Sequence, residues 1–357
     1  MISKNRKIRI KDIAEKAKVS AGTIDRVLHN RGDVNKETKE KVLKIIAELG
    51  YKPNLLAKSL ASRKVIKIAI LIPEVKEGQN LYWEKPLLGI QKSIKELRDF
   101  NVEVKLFTFK LGDEKTFEEH CKSISSFNAQ GVIFAPVFKT LSEELAFKCE
   151  AAGIPYIFID TYLEGLSPLT YFGQNAVQSG YLSAKLMFYA LNNKDKILIL
   201  NIANKNAISD HLKMREEGFL KFMSEKALDK SFQIITERID LNEKNEPIRV
   251  LNQVFKTDPD IKAVFATNSK VYIAAKFLSE NGMGDRLLIG YDLIEKNLEY
   301  LKDGSIDFLI CQKPEEQGYK SVMTLFNYLL GGAQADKMNY SQIDIIMQEN
   351  IEYYKNS

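Results

Sequence analysis

From residue 65 onward the chain alternates short, nearly uninterrupted apolar runs with segments of helical periodicity, and no other feature constrains its fold as tightly. The β-rich runs occupy 65–73, 102–109, 131–135, 156–159, 196–201, 234–239, 263–266, 287–291 and 307–312. Amphipathic stretches such as 87–97, 181–191 and 271–278 separate them. A strand that is apolar at successive positions is covered on both faces, the condition of a parallel sheet flanked by helices. The span is too long for one ordinary doubly wound sheet. Two similar α/β lobes are expected, with a ligand cleft outside the carboxyl ends of the strands.

The first 64 residues differ in kind. Apolar residues recur at helical spacing in three blocks: Ile10, Ile13, Ala14, Ala17; then Ile24, Val27, Leu28; then Val42, Leu43, Ile46, Leu49. Lys18-Val19-Ser20 is the length of a tight helix-turn-helix corner, with Ser20 as N-cap of the second helix. Asn35 is placed to cap the third helix and Gly50 to stop it. After Tyr51-Lys52-Pro53, residues 54–62 make an amphipathic segment too short to stand as a helix alone, and this predicts a conditional linker.

Charge divides at the same place. Residues 1–64 carry 17 Lys and Arg against 7 Asp and Glu, whereas the remainder carries 35 against 40. A compact basic head on a mildly acidic body suits nucleic acid better than a membrane, since the head has no aromatic or Leu-rich amphipathic anchor.

At 357 residues and 45% hydrophobic, the chain can bury a core without staples. Cys121, Cys149 and Cys311 show no C-x-x-C spacing, which argues against a disulfide framework and a zinc site and favours a reducing cytoplasm. His29, His120 and His211 share no metal-like spacing. No apolar leader follows the first residues and no run reaches about 18 apolar residues, so a cytoplasmic protein without a membrane partner is expected. Phosphate-loop, nucleophile-elbow and zinc-protease motifs are absent, and neither an enzyme nor a cofactor is expected.

A recognition helix needs small or polar residues in its first turn and apolar residues on the opposite face. Residues 20–28 satisfy both conditions. Ser20 and Thr23 can donate to phosphate, Ala21 and Gly22 leave room for close approach or a thymine methyl, and Arg26 can reach guanine or a phosphate. Here the residues become specific. Ile10-Lys11-Asp12-Ile13-Ala14-Glu15-Lys16-Ala17, Val19-Ser20, Thr23, Arg26-Val27, Tyr51-Lys52-Pro53-Asn54, Ala57 and Leu60 resemble the DNA-binding head and hinge of the lactose-repressor (LacI/GalR) family. The resemblance implies that Lys11 and Asn54 join the DNA contacts, that 53–61 folds on an operator, and that Leu60 wedges into the minor groove. It also implies a homodimer on a pseudo-palindromic operator.

Three positions depart from the family pattern. Arg9 replaces a Ser or Thr cap, Lys18 replaces the turn glycine, and Asp25 puts a carboxylate where a small hydroxyl is usual. Asp25 could accept from cytosine N4, orient Arg26, or pair with a neighbouring basic side chain.

In the body, candidate ligand residues lie just past strand ends: Tyr82 and Trp83, Asp160, Asn268, Asp292 and Gln312, with His211 and Arg215 at a helix start. Carboxylates, amides and an arginine framed by aromatics suit a polyhydroxylated ligand. Residues 154–160, 264–268, 289–292, Gln312 and Arg215-Glu216-Glu217-Gly218-Phe219 resemble the family's effector domain, which is similar to periplasmic sugar-binding proteins of the ribose and galactose type. Ser269 stands where the family commonly has an Asp. With Arg215 and nearby Lys213 as the candidate phosphate partners, a free sugar is favoured over a sugar phosphate.

The expected architecture is an all-α helix-turn-helix head (1–52), a hinge (53–64) and a two-lobed periplasmic-binding-protein-like α/β body (65–357) of two parallel doubly wound sheets. The first lobe takes about 65–172 and 313–340, the second about 173–312 and 341–357. The expected function is a ligand-responsive, sequence-specific DNA-binding regulator, a repressor whose sugar-like effector shifts operator affinity. The alternatives are a cytoplasmic sugar-binding protein without a regulatory role, and an activator or co-repressor-dependent regulator sensing a non-sugar metabolite. The end of the chain carries no leucine heptads, so a tetramerising tail is not expected.

Overall fold

The computed structural model describes residues 8–28, 32, 34–49, 65–76, 81–203, 210–226, 230–243 and 245–354. The proposed hinge, including Asn54 and Leu60, lies outside the described residues, as does Gly50.

The head holds α1 (Ile10–Ala17), α2 (Ala21–Leu28) and α3 (Lys36–Leu49) around Ile13, Ala14, Ala17, Ile24, Val27, Val42 and Ile45. Leu43, expected in this core, is exposed, and Ile45 takes the inward position. Ser20 caps α2, its Oγ accepting the Thr23 N–H at 3.0 Å, and Asn35 caps α3 through the Thr38 N–H at 2.7 Å. Arg9 supplies no side-chain cap, but Asp12 accepts the Arg9 N–H at 2.7 Å and so closes half of a capping box from the other side. Lys18 is left-handed at φ 58°, a conformation that costs a non-glycine residue about 1 kcal/mol.

The body begins with β1 (Ile66–Pro73), α4 (Glu84–Glu96), β2 (Val102–Phe109), α5 (Glu114–Phe127), β3 (Gly131–Phe134), α6 (Lys139–Ala151), β4 (Tyr156–Asp160) and β5 (Thr170–Gly173). It continues with α7 (Ala176–Ala190), β6 (Lys196–Ala203), α8 (Asp210–Lys226), β7 (Gln233–Asp240), α9 (Glu246–Thr257), β8 (Ile261–Ala266), α10 (Tyr272–Glu280), β9 (Leu287–Tyr291), α11 (Glu295–Lys302) and β10 (Phe308–Cys311). Then α12 (Pro314–Gly331) and β11 (Met338–Tyr340) return to the first lobe, and β12 (Asp344–Ile346) to the second. The two six-stranded sheets share one plan, β11-β5-β4-β3-β1-β2 and β12-β10-β9-β8-β6-β7. Their paired strands are parallel except for β12, which is antiparallel to β10.

Burial on both faces explains the apolar runs. Along β1, Ile66, Ile68, Ile70 and Ile72 face α4 and α12, while Ala69 and Leu71 face α5 and α6. Along β6, Ile197 and Ile199 face α7 and α8, while Leu198, Leu200 and Ile202 face α9 and α10. Within each lobe one helix pair packs backbone to backbone through reciprocal glycines. A methyl on Gly89 or Gly318 would overlap the carbonyl of Glu315 or Pro86, and one on Gly180 or Gly218 that of Arg215 or Val177.

Three crossovers join the lobes and are bonded to one another. Ser341 N–H donates to the Gly173 carbonyl at 2.8 Å, Gln174 Nε2 to the Cys311 carbonyl at 3.3 Å, and Gln317 Nε2 to the Gln312 carbonyl at 2.9 Å and Ser341 Oγ at 3.1 Å.

Candidate effector site and DNA-binding head

The shared plan makes β4 of the first sheet and β9 of the second equivalent strands, and each delivers a carboxylate at its carboxyl end. Asp160 and Asp292 are both left-handed, at φ 71° and 65°. Non-glycine residues pay for that conformation, and Asp is among the few that adopt it readily. Tyr82, in the short 3-10 turn Leu81–Trp83, donates its hydroxyl to Asp160 Oδ1 at 2.7 Å, and Thr161 Oγ1 donates to Oδ2 at 3.2 Å. Gln312 Nε2 donates to Asp292 Oδ1 at 3.1 Å, and the Asp292 N–H donates to the Ile310 carbonyl at 3.1 Å.

Arg215 on α8 is a buried cation that acts electrostatically on both carboxylates. Its Nη1 donates to the Thr267 carbonyl at 2.7 Å, its guanidinium carbon lies 3.6 Å from the Tyr291 ring centre, and its Nε is buried without a partner among the described residues. The Tyr291 hydroxyl is fixed by Ser179 Oγ at 3.0 Å. Burial raises the Asp160 carboxyl, with Tyr82, Arg215 and Thr161 opposing the rise. Burial likewise pushes Asp292 up to about 6; Arg215 and Gln312 oppose the rise and Asp160 adds to it.

The lobes meet where His211 Nδ1 on α8 lies 3.2 Å from Thr161 Oγ1 of the first lobe. Thr161 Oγ1 thus bridges Asp160 and the His211 imidazole across the lobes. Burial first, and then Arg215 and Lys270, hold His211 well below its usual range, so the ring is neutral at physiological pH.

Tyr82 with Asp160 and Gln312 with Asp292 therefore form two hydrogen-bonded pairs in the field of Arg215, and three expected residues behave differently. Trp83 is 5% exposed within the apolar core of the first lobe, edge-on to Tyr82 at 5.4 Å, so Tyr82 alone of the pair joins the carboxylates. Asn268 binds inward: its Nδ2 donates to the Ile202 carbonyl at 2.5 Å and its Oδ1 accepts the Lys270 N–H at 3.0 Å, so its amide builds the turn after β8. Lys213 points away, 72% exposed and 3.9 Å from Glu217 one turn along α8. Sequence reasoning missed Thr161 and Lys270. Both follow a strand-end residue by one or two positions, and extending the strand-end rule that far would have found them.

In the head, Lys11, Ala21, Gly22 and Arg26 are exposed, and Thr23 and Asp25 are half-buried. The Ser20 hydroxyl is already engaged, capping α2 and lying 2.9 Å from Thr23 Oγ1.

Residues 9–54 match the family described as bacterial regulatory proteins, lacI family, and residues 69–333 match the periplasmic binding protein domain. A Bacteroides fragilis protein assigned as a LacI transcriptional regulator has a solved structure that is 33% identical, with a TM-score of 0.75, covering 82% of this chain and 100% of that one. The chain belongs to the LacI family of bacterial regulators. Among its LacI-family relatives, the HTH-type transcriptional regulator PepR1 of Lactobacillus delbrueckii subsp. lactis is 27% identical over 62% of each chain, so the match spans less than two thirds of that protein. The HTH-type transcriptional regulator MalR of Streptococcus pneumoniae is 25% identical over 73% of this chain and 76% of its own. GanP, a glucose-galactose binding protein from Geobacillus stearothermophilus, shares the fold of the body at 19% identity, with a TM-score of 0.70 over 81% of this chain and 99% of that one. Among the described residues no helix is long and apolar enough to cross a membrane.

Proposed function

We propose that the chain is a ligand-responsive, sequence-specific DNA-binding regulator in the cytoplasm, acting as a homodimer on a pseudo-palindromic operator, with a sugar-like effector held between its lobes. The observation that carries the effector half is the pair of carboxylates, Asp160 and Asp292, set at equivalent left-handed strand ends and both in the field of buried Arg215. Carboxylates accept paired hydroxyl protons and a guanidinium donates to hydroxyl or ring oxygens, which is the chemistry a polyol requires. Gln312 joins them through Asp292 and Tyr82 through Asp160. No catalytic step is assigned to any of these groups.

The DNA half rests on the exposed first turn of α2 and on Arg26, with Lys11 and the hinge residues Asn54 and Leu60 completing the contacts by family resemblance. Closure of the lobes on effector changes how the two heads are presented, provided that the effector prefers one of two body states that differ in DNA competence. Calorimetric titration of the full chain with pentoses and hexoses tests the effector half. Saturable binding of one ligand per chain is expected for at least one sugar or sugar derivative, and flat heats across the panel and its derivatives would overturn it.

A further inference from the structure

The charges of the site are unevenly matched. Asp160 and Asp292 share the field of Arg215, and each carboxylate is already supported by a neutral donor, Tyr82 or Gln312. Lys270 stands outside these pairs, in the turn at the carboxyl end of β8, between β8 and α10. Its backbone N–H is fixed by Asn268 at 3.0 Å and its own carbonyl accepts the Ile273 N–H at 3.0 Å, so its position is set by the turn. The residue is half-buried, and its ammonium has no hydrogen bond or ion pair among the described residues.

Lys270 is within electrostatic reach of His211, which shares the first turn of α8 with Asp210, and Arg215, with its unpartnered buried Nε, follows one turn later on the same face as His211. Burial alone holds the Lys270 ammonium below its usual range, with no carboxylate opposing it. A half-buried cation without a hydrogen-bonded or ion-paired counter-charge among the described residues is poised for an anion brought from outside.

Resting on the sensor reading above, we propose that the effector is an anionic sugar derivative: its hydroxyls are held by Asp160, Asp292 and Arg215, and its carboxylate or phosphate is met by Lys270 beside His211. A free sugar satisfies the carboxylates and Arg215 and leaves Lys270 unpaired. A sugar acid or sugar phosphate satisfies Lys270 as well, and the ammonium contributes a charge-assisted hydrogen bond that a neutral ligand cannot form. The assignment reverses the preference for a free sugar that Arg215 and Lys213 suggested from sequence, because Lys213 faces solvent and half-buried Lys270 lies in the turn at the carboxyl end of β8.

The test is calorimetry on the full chain with matched ligands: glucose, galactose and ribose against glucuronate, galacturonate, gluconate, glucose 6-phosphate and ribose 5-phosphate. Wild type, Lys270→Met and Lys270→Arg are compared. At least one anionic member is expected to bind about tenfold or more tighter than its neutral parent. The ratio should fall close to one in Lys270→Met and recover in Lys270→Arg. The carboxylate and phosphate arms tell the two anions apart. Neutral sugars binding as tightly as all of their anionic partners, or a ratio that survives in Lys270→Met, would overturn the anionic assignment while leaving a sugar sensor in place. Silence across the whole panel would remove the sensor and the anionic assignment together.

Discussion

Asp292 sets a pH dependence that separates ligand binding from folding. A sugar hydroxyl donates to the ionised carboxylate, so protonation competes with the ligand. With the carboxyl near 6, affinity for a neutral sugar is expected to be flat above about pH 7 and to fall roughly tenfold per pH unit below about 6. Stability runs the other way. The folded carboxyl is raised above its unfolded value, so the folded chain keeps its proton longer, and the contribution of Asp292 to stability is full below about pH 4 and lost as pH rises through 6. Titration calorimetry at pH 5, 6, 7 and 8 checks the first slope, and an affinity that does not change across that range would place Asp292 outside the site. In the head, Arg26→Ala is expected to weaken specific operator binding by about 1–3 kcal/mol and to relax preference at one base position. A gel-shift titration with unchanged affinity would remove Arg26 from the interface.

Among the elements, the reciprocal glycines of α7 and α8 connect packing to the site. Gly180 lies against the Arg215 backbone, so Gly180→Ala must push α8 outward and carry the guanidinium away from Thr267 and Tyr291. Overpacking of this kind costs about 1–3 kcal/mol of stability. Effector affinity should fall alongside it, and a variant that loses stability while binding normally would show that the placement of Arg215 tolerates the shift. This contact was not legible in the sequence, where Gly180 and Gly218 are single glycines inside helical patterns. The apolar strands were legible because burial on both faces writes itself as a continuous run: β1 and β9 end where the runs end. Strands β5, β11 and β12 were not, since they are three or four residues long and Thr170, Asn339, Tyr340 and Asp344 break any run. Among the candidate residues, Asp160, Asp292 and Gln312 could be named from sequence because strand ends can be located from the runs. Trp83 and Asn268 follow the same rule and yet turn inward, and the direction of a side chain just past a strand is fixed by packing that the sequence pattern does not carry.

For the whole molecule, the decisive property is that one chain holds a helix-turn-helix head and a two-lobed cleft whose three crossovers are hydrogen-bonded together. Gln312 touches the site through Asp292 and the third crossover through Gln317 and Ser341, so a shift at the carboxylate reaches the strands that set the angle between the lobes. Coupling between effector and operator requires that the two ligands prefer different lobe arrangements, and reciprocity follows from thermodynamics. The most direct measurement is fluorescence anisotropy on an operator duplex selected from a random pool by the protein itself, with and without saturating effector identified by calorimetry. Operator affinity is predicted to change by about fivefold or more in one direction, and effector affinity to change by the same factor when operator is saturating. Specific binding of both ligands, each indifferent to the other, would contradict the account.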